Sequence, residues 1–486
     1  MNDAMLKCIG CNIVYTIETK KPVYACENRG NGVFTHILEK ILPDEFSFDI
    51  RTLLDLSPNS TNPYLLFRKF FYSYYIAKKL KIDFKSLVTE INDRLKAGGE
   101  PGFEMTPFLV KDNISGIPGR TLIKNETCNV SGSHKARHLM GNVIYLEVLN
   151  KAAIIQKRPK LALYSCGNAA LGAASVAKAA GYKLDVFVPL NVNPRVIQKL
   201  NYYGASVVAC PRISGESGDP CYNRFQEALA SGSVPFSCSG PDNWSNIEGG
   251  QTLCLELIAQ ASLIKQKIDA IVIQVGGGAL ASSAVKTIEE VYWAGSIDTM
   301  PVIHTVQTEG GYPLVRTYLI MLKEIAIKNN MECSLTIDDS DEPILRNQAF
   351  LKYLNNNLQE ILKIAEFCKA NYTTDKVQNI FRDCAQNMKK YMWAWEGEPH
   401  SIAHGILDDT TYDWFKIMQG MFRSGGIPIT VTEQELKDAN TLAKKITKIN
   451  VDHTGSSGFS GYIKLKNLGI ISKTASTAVF FTGIER

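Results

Sequence analysis

The apolar run Ile271-Val272-Ile273-Gln274-Val275 passes directly into three glycines, Gly276-Gly277-Gly278, and then into a helical pattern over residues 280–292. A short apolar run bounded by glycine reads as a buried strand, and a strand that turns straight into a helix must return to its sheet by a crossover. The same order recurs at Leu163-Tyr164-Ser165-Cys166-Gly167-Asn168-Ala169-Ala170, where an apolar strand ends in a tight polar turn and opens an alanine-rich helix over residues 170–180. Further β runs at residues 162–165, 185–189, 206–210 and 270–275 alternate with helical segments. This alternation predicts an α/β fold built on parallel sheets with right-handed crossovers.

Between those units lies Ser131-Gly132-Ser133-His134-Lys135-Ala136-Arg137, which isolates one lysine after a strand at residues 120–126 and before a helix at 138–146. An amine attacks a carbonyl only when it is deprotonated and held still, which proteins achieve by burial and neighbouring positive charge. Arg137 offers that charge or a hold on a carboxylate, and equally a structural ion pair. Taken alone the segment is a solvated lysine in a Ser/Gly turn, since so short a motif occurs often by chance. The two strand-to-helix loops add to it. Each presents free N–H groups and the positive end of a helix dipole, and adjacent glycines let an anion approach the backbone closely. The glycine triad is neither a dinucleotide fingerprint, because the G-x-G-x-x-G spacing is absent, nor a Walker loop, because no Lys-Ser/Thr follows.

These three loops, in this order, resemble the fold-type-II pyridoxal-phosphate enzymes, the family of threonine synthase, serine and threonine dehydratases, cysteine synthase and the tryptophan synthase β chain. The resemblance implies an α/β fold of two three-layer αβα domains, each with a mostly parallel sheet. The small domain would span residues 156–244, and the large cofactor-binding domain 108–155 and 245–486. It implies pyridoxal 5'-phosphate as cofactor, with Lys135 as the catalytic, cofactor-binding lysine. Asn168 would contact the pyridine hydroxyl, and Gly276, Gly277, Gly278 and Ala279 the phosphate. The stretch Val451-Asp452-His453-Thr454-Gly455-Ser456-Ser457-Gly458 resembles the segment that supplies a hydroxyl to the pyridine nitrogen, with Thr454 in that place and Asp452, Ser456 and Ser457 as competitors. Ser165, Cys166, Gly167 and Asn168 would hold the substrate carboxylate. A weaker likeness links Ser401-Ile402-Ala403-His404-Gly405-Ile406 to a segment lining the cofactor. A hydroxyl beside the nitrogen, in place of an acid, favours elimination or replacement at the β or γ carbon over transamination.

The substrate divides the evidence. Lys124-Asn125-Glu126, the N-terminal cysteines and His453-Thr454-Gly455 resemble threonine synthase, which converts O-phosphohomoserine to threonine, whereas Lys135-Ala136-Arg137 is similar to the dehydratases. The expectation is a lyase acting on a small amino acid, threonine-synthase-like first and serine/threonine ammonia-lyase second, with a catalytically silent cofactor-binding regulator as a third reading. A synthase needs a second anion site for its substrate phosphate; an ammonia-lyase needs only a small hydroxyl pocket.

With 486 residues, 45% hydrophobic and 21% charged, the chain can bury a large core, and its formal charge of +5 with no basic aromatic stripe argues against a nucleic-acid partner. No apolar run approaches the ~20 residues of a membrane span and no signal pattern opens the chain, so a cytoplasmic location without a membrane partner is expected. A homodimer is expected as well. Twelve cysteines in so long a chain make no disulfide scaffold. Cys8-Ile9-Gly10-Cys11 followed by Cys26 does resemble a zinc ribbon, but a fourth ligand sought in Cys26-Glu27-Asn28-Arg29 meets an arginine. The expectation is therefore no metal, with residues 1–36 as a degenerate ribbon. Residues 37–107 read as a helical extension, 211–221 as a lid or interface loop, and 314–396 as a helical insertion at a dimer interface or in a regulatory module.

Overall fold

The computed structural model describes residues 3–30, 35–50, 61–213, 219–336 and 342–486. Among these residues thirteen strands form three sheets. A small antiparallel sheet at the N-terminus joins β1 (Met5–Cys8), β2 (Val14–Thr16) and β3 (Leu38–Ile41) in the order β2-β1-β3. The second sheet holds β4 (Phe108–Asp112), β5 (Arg120–Asn125), β10 (Ala270–Gln274), β11 (Val302–Thr308), β12 (Pro428–Val431) and β13 (Ser476–Phe481). Its order is β12-β11-β10-β13-β5-β4, and every pair is parallel except β4 with β5. The third sheet, order β8-β7-β6-β9, is wholly parallel and comprises β6 (Leu161–Tyr164), β7 (Leu184–Val188), β8 (Ser206–Ala209) and β9 (Val234–Pro235).

Strands β10 and β13 at the centre and β12 at the edge are buried along their whole length, as expected where helices cover both faces of a parallel sheet. The α/β fold of two parallel-sheet layers and a ribbon-like segment is thus present. One element departs from expectation. Residues 38–41, placed in a helical extension, pair with β1 (Cys8 opposite Leu38), so the ribbon runs on to Ile41. Sequence periodicity missed this strand because only four residues carry it and its partner lies thirty positions away. Residues 51–60 of the same extension, 214–218 of the expected lid and 337–341 of the insertion fall outside the described residues. Helices Pro313–Lys328, Pro343–Asn356, Leu358–Ala370, Asp375–Gln386 and Met388–Tyr391 fill most of 314–396. No helix among the described residues is long and apolar enough to cross a membrane.

The crossing that matters for the site is that of helices Lys135–Lys151 and Ser245–Leu263. A Cβ on Gly249 would collide with the Arg137 carbonyl oxygen, and one on Gly141 would lie 2.5 Å from that of Ser245. Only glycine at both positions lets the backbones come this close.

Candidate functional site

Lys135 is the first residue of helix Lys135–Lys151 and is half-buried. The turn before it needs left-handed backbone at Ser131 (φ 55°) and Gly132 (φ 69°). An antiparallel bridge from Ser133 to Gly483 and a 3.0 Å bond from the His134 N–H to the Thr482 carbonyl then fix the lysine's starting point. His134 and His138 flank it. Burial, then the charge of Lys135, depresses the His134 imidazole to about 3, and burial acts the same way on His138, so both are neutral donors or acceptors at physiological pH.

Arg137 resolves to the structural alternative. It is fully buried, its Nε 2.7 Å from Glu126 Oε2 and its Nη1 2.6 Å from Glu256 Oε1, while Lys124 Nζ lies 2.6 Å from Glu256 Oε2. Two cations and two carboxylates close a neutral network beneath the helix, which anchors it and leaves Arg137 committed away from any ligand.

Helix Asn168–Ala180 packs against the same helix start, close enough that a Cβ on Gly172 would lie 3.0 Å from Ala136 N. Asn168 thus opens a second helix beside Lys135. Its Oδ1 accepts from the Arg486 guanidinium, which also reaches the Ser131 carbonyl. In the loop before it, Ser165 Oγ accepts weakly from Gly167 N–H at 3.4 Å and Cys166 is exposed.

Gly278, at φ 98°, caps helix Ala279–Trp293. The three glycines are hemmed in by a segment that sequence reasoning left unassigned. A Cβ on Gly276 would overlap Asp408 Oδ2, one on Gly277 would sit 2.8 Å from the Tyr412 ring, and one on Gly278 3.0 Å from Thr411. The Asp413 N–H donates to the Gly277 carbonyl at 3.0 Å. Asp413 Oδ2 accepts from Gly240 N–H at 3.2 Å, and its Oδ1 is buried with no hydrogen-bond partner among the described residues. Burial pushes Asp413 up to about 7 and raises Asp408 as well, against the opposing charge of Lys135 on both. Cys238, 3.9 Å from the Lys135 carbonyl oxygen, is likewise pushed up by burial, to about 11.

The fourth segment arrives with helix His453–Asn467. Thr454 Oγ1 accepts the Gly405 N–H at 3.0 Å, so the Ser401 to Ile406 stretch lies against it. The other three candidates make bonds of their own. Ser456 Oγ bonds the Asp452 carbonyl at 2.9 Å, Ser457 Oγ the Thr454 carbonyl at 2.8 Å, and Asp452 caps the helix through Gly455 N–H. Gln274 Nε2 ties this segment to the turn before Lys135 by bonding the Gly455 carbonyl and Thr482 Oγ1, both at 3.0 Å.

Comparison with known proteins gives this arrangement its family. Residues 100–345 match the family described as "Pyridoxal-phosphate dependent enzyme". The chain belongs to that family. Among curated relatives, it is 30% identical to the L-serine dehydratase of Saccharomyces cerevisiae (strain AWRI1631) over 215 residues, 43% of this chain and 62% of the yeast protein. It is 28% identical to the serine racemase of Arabidopsis thaliana over 241 residues, 45% of this chain and 67% of that one. The matched region therefore spans less than two thirds of the yeast relative. In fold it is similar to the threonine deaminase of T.th., with TM-score 0.53 and 20% identity over 82% of this chain and 98% of that chain. It is also similar to maize serine racemase, with TM-score 0.52 and 16% identity over 82% and 92%.

The residues present fit the family's cofactor. The three glycines open helix Ala279–Trp293 in a cradle that a Cβ on any of them would fill, so backbone N–H groups and the positive helix end stand free of side chains there, which suits a phosphate. Lys135, Asn168, the glycine triad and Thr454 would hold the group, and bound pyridoxal phosphate supplies an electron sink for bonds broken at an amino acid's α carbon. Asp408, Tyr412, Asp413, Cys238 and Arg486 escaped the sequence reading, because each reaches the site from a loop or chain segment with no local motif. The proximity of Ser401 to Ile406 was the available signal for the acidic loop just after it.

Proposed function

We propose that this protein is a pyridoxal-phosphate-dependent ammonia-lyase for a small hydroxy amino acid, serine or threonine. Lys135 would bind the cofactor and take the proton from the α carbon, Asn168 and Thr454 would hold the ring, and the turn Ser165 to Asn168 would hold the substrate carboxylate. The observation that carries the reading is where the nearby cations are spent. O-Phosphohomoserine would bring a second phosphate and need a second cationic site, yet Lys124 and Arg137 are both consumed by Glu126 and Glu256, and the Arg486 guanidinium is engaged by Asn168 Oδ1 and the Ser131 carbonyl. The side chains closing the cradle, Asp408 and Asp413, are acidic. Such surroundings suit a neutral hydroxyl leaving with a proton better than a phosphate ester. The likeness to L-serine dehydratase supports the same choice, so the threonine-synthase reading moves to second place.

The test is an assay of purified, cofactor-loaded protein with serine, threonine and O-phosphohomoserine in turn, following ammonia, 2-oxoacid, phosphate and D-serine. Oxoacid and ammonia in equal amounts from serine or threonine are expected. Phosphate and threonine from O-phosphohomoserine, or D-serine alone, would replace the proposal by a synthase or a racemase.

A further inference from the structure

The N-terminal ribbon carries a site that the lyase reading does not use. The thiols of Cys8, Cys11 and Cys26 and a ring nitrogen of His36 all lie within 4.8 Å of one another. Cys8 Sγ is 3.5 Å from His36 Nδ1, and Cys11 Sγ is 3.5 Å from Cys26 Sγ. In a tetrahedral zinc site with Zn–S near 2.3 Å and Zn–N near 2.0–2.1 Å, the edges are about 3.6 Å between sulfur and nitrogen and about 3.8 Å between sulfurs. The two observed edges fall just inside those values, on opposite sides of one small tetrahedron.

The fold brings the four together from three places. Cys8 ends β1 and Cys11 lies in the turn that follows, closed by the 2.9 Å bond from Cys8 N–H to the Ile13 carbonyl. Cys26 lies in the turn after the second strand. His36 stands just before β3, held across from Cys8 by the β1–β3 pairing and the 3.0 Å bond from Ile9 N–H to the Ile37 carbonyl. The fourth donor is thus His36 and not residue 29. Arg29, whose presence suggested that a ligand was missing, turns away to pair with Asp242.

The Asn28 side-chain amide donates to Cys11 Sγ at 3.4 Å, the kind of outer contact that orients a sulfur ligand. Cys8, Cys26 and His36 are buried, so a metal held there would be closed off from solvent, as in a structural site.

We propose that Cys8, Cys11, Cys26 and His36 bind one zinc ion as a closed, four-coordinate structural site. Binding releases the three thiol protons to solvent and leaves a neutral imidazole and three thiolates on the metal, with no change of oxidation state. Thiolate and imidazole donors at tetrahedral spacing favour zinc over the oxygen-seeking divalent ions. The site pins together β1, β3 and the Cys26 turn. That turn continues into Arg29, and the nearby Tyr24 carbonyl accepts from Trp244 N–H at 3.0 Å, so the metal also steadies the ribbon against the 238–246 segment beside Lys135.

The experiment is elemental analysis of the full-length, reduced, cofactor-loaded protein after dialysis, followed by chelation and refilling with cobalt(II). One zinc per chain is expected, and the cobalt form should show thiolate charge transfer in the near ultraviolet with the intense visible bands of a tetrahedral site. His36→Ala and Cys11→Ser should lose the metal, whereas His36→Cys should keep it with stronger charge transfer; the rescue separates loss of a ligand from loss of the fold. Zinc well below one per chain with no tetrahedral cobalt spectrum, iron in its place, or a Cys11–Cys26 disulfide in the protein as purified would overturn the assignment. These readouts need no substrate, so failure of the lyase reading leaves them intact.

Discussion

The Asp408 carboxylate stands against Gly276 in the strand–glycine–helix turn, its Oδ2 overlapping the place where a Cβ on Gly276 would stand. Two anions side by side repel. A cofactor phosphate bound at these glycines would therefore meet the charge of Asp408.

Asp408→Ala should tighten pyridoxal phosphate binding to the stripped protein by about tenfold, a gain of ~1.4 kcal/mol, measured by absorbance titration. An unchanged or weaker dissociation constant would show that Asp408 does not oppose the phosphate.

Lys135→Ala should leave the fold in place and abolish covalent retention of the cofactor. After borohydride treatment, peptide mapping is expected to find the cofactor on Lys135 in the native protein and nowhere in the variant, with turnover lower by at least ~10³-fold. A labelled lysine elsewhere would remove Lys135 from its role.

Arg137 sits between Glu126 and Glu256, all three fully buried. Removing one partner leaves uncompensated buried carboxylate, so Arg137→Ala should cost about 3–5 kcal/mol in denaturant unfolding. A loss below ~1 kcal/mol would mean that solvent or Lys124 replaces the guanidinium.

Asp413 ties pH to stability. Its carboxyl is held at about 7 in the folded protein, chiefly by burial, against an ordinary 3.8. Between those values the folded chain binds a proton that the unfolded chain has released. The stability this group contributes is thus complete below about pH 3.8, falls as pH rises towards 7, and is lost above. Asp413→Asn keeps an oxygen for the Gly240 N–H and removes the charge. It should be more stable than the native protein at pH 8, by on the order of 2–4 kcal/mol, with the difference shrinking at pH 5. Parallel melting curves at the two pH values would check it, and equal differences at both would count against a titrating Asp413.

Local signals told much of this fold. Strands β5, β6, β7, β8 and β10, the helix starts at Lys135 and Asn168 and the glycine turn each write their reason within a few residues: an apolar run, a polar or glycine turn, a helical period. The same residues carry the likeness to the cofactor family, since phosphate and amine chemistry here use backbone N–H groups and one lysine at helix starts. The strand β3, the partners of Arg137 and the ligand-like place of His36 could not be read in that way. Each depends on a residue 11 to 119 positions from its counterpart, and the hydrogen bonds and charges that decide them act through space.

The sequence by itself therefore determined the α/β class, the turn that presents Lys135 and the glycines that can cradle a phosphate, because these are properties of short segments. Only the tertiary structure decided what faces them. It turned Arg137 inward to Glu126 and Glu256, set Asp408 and Asp413 against the glycine cradle, and brought His36 to three cysteines. Side chains with no common motif become a site only where packing removes the water between them.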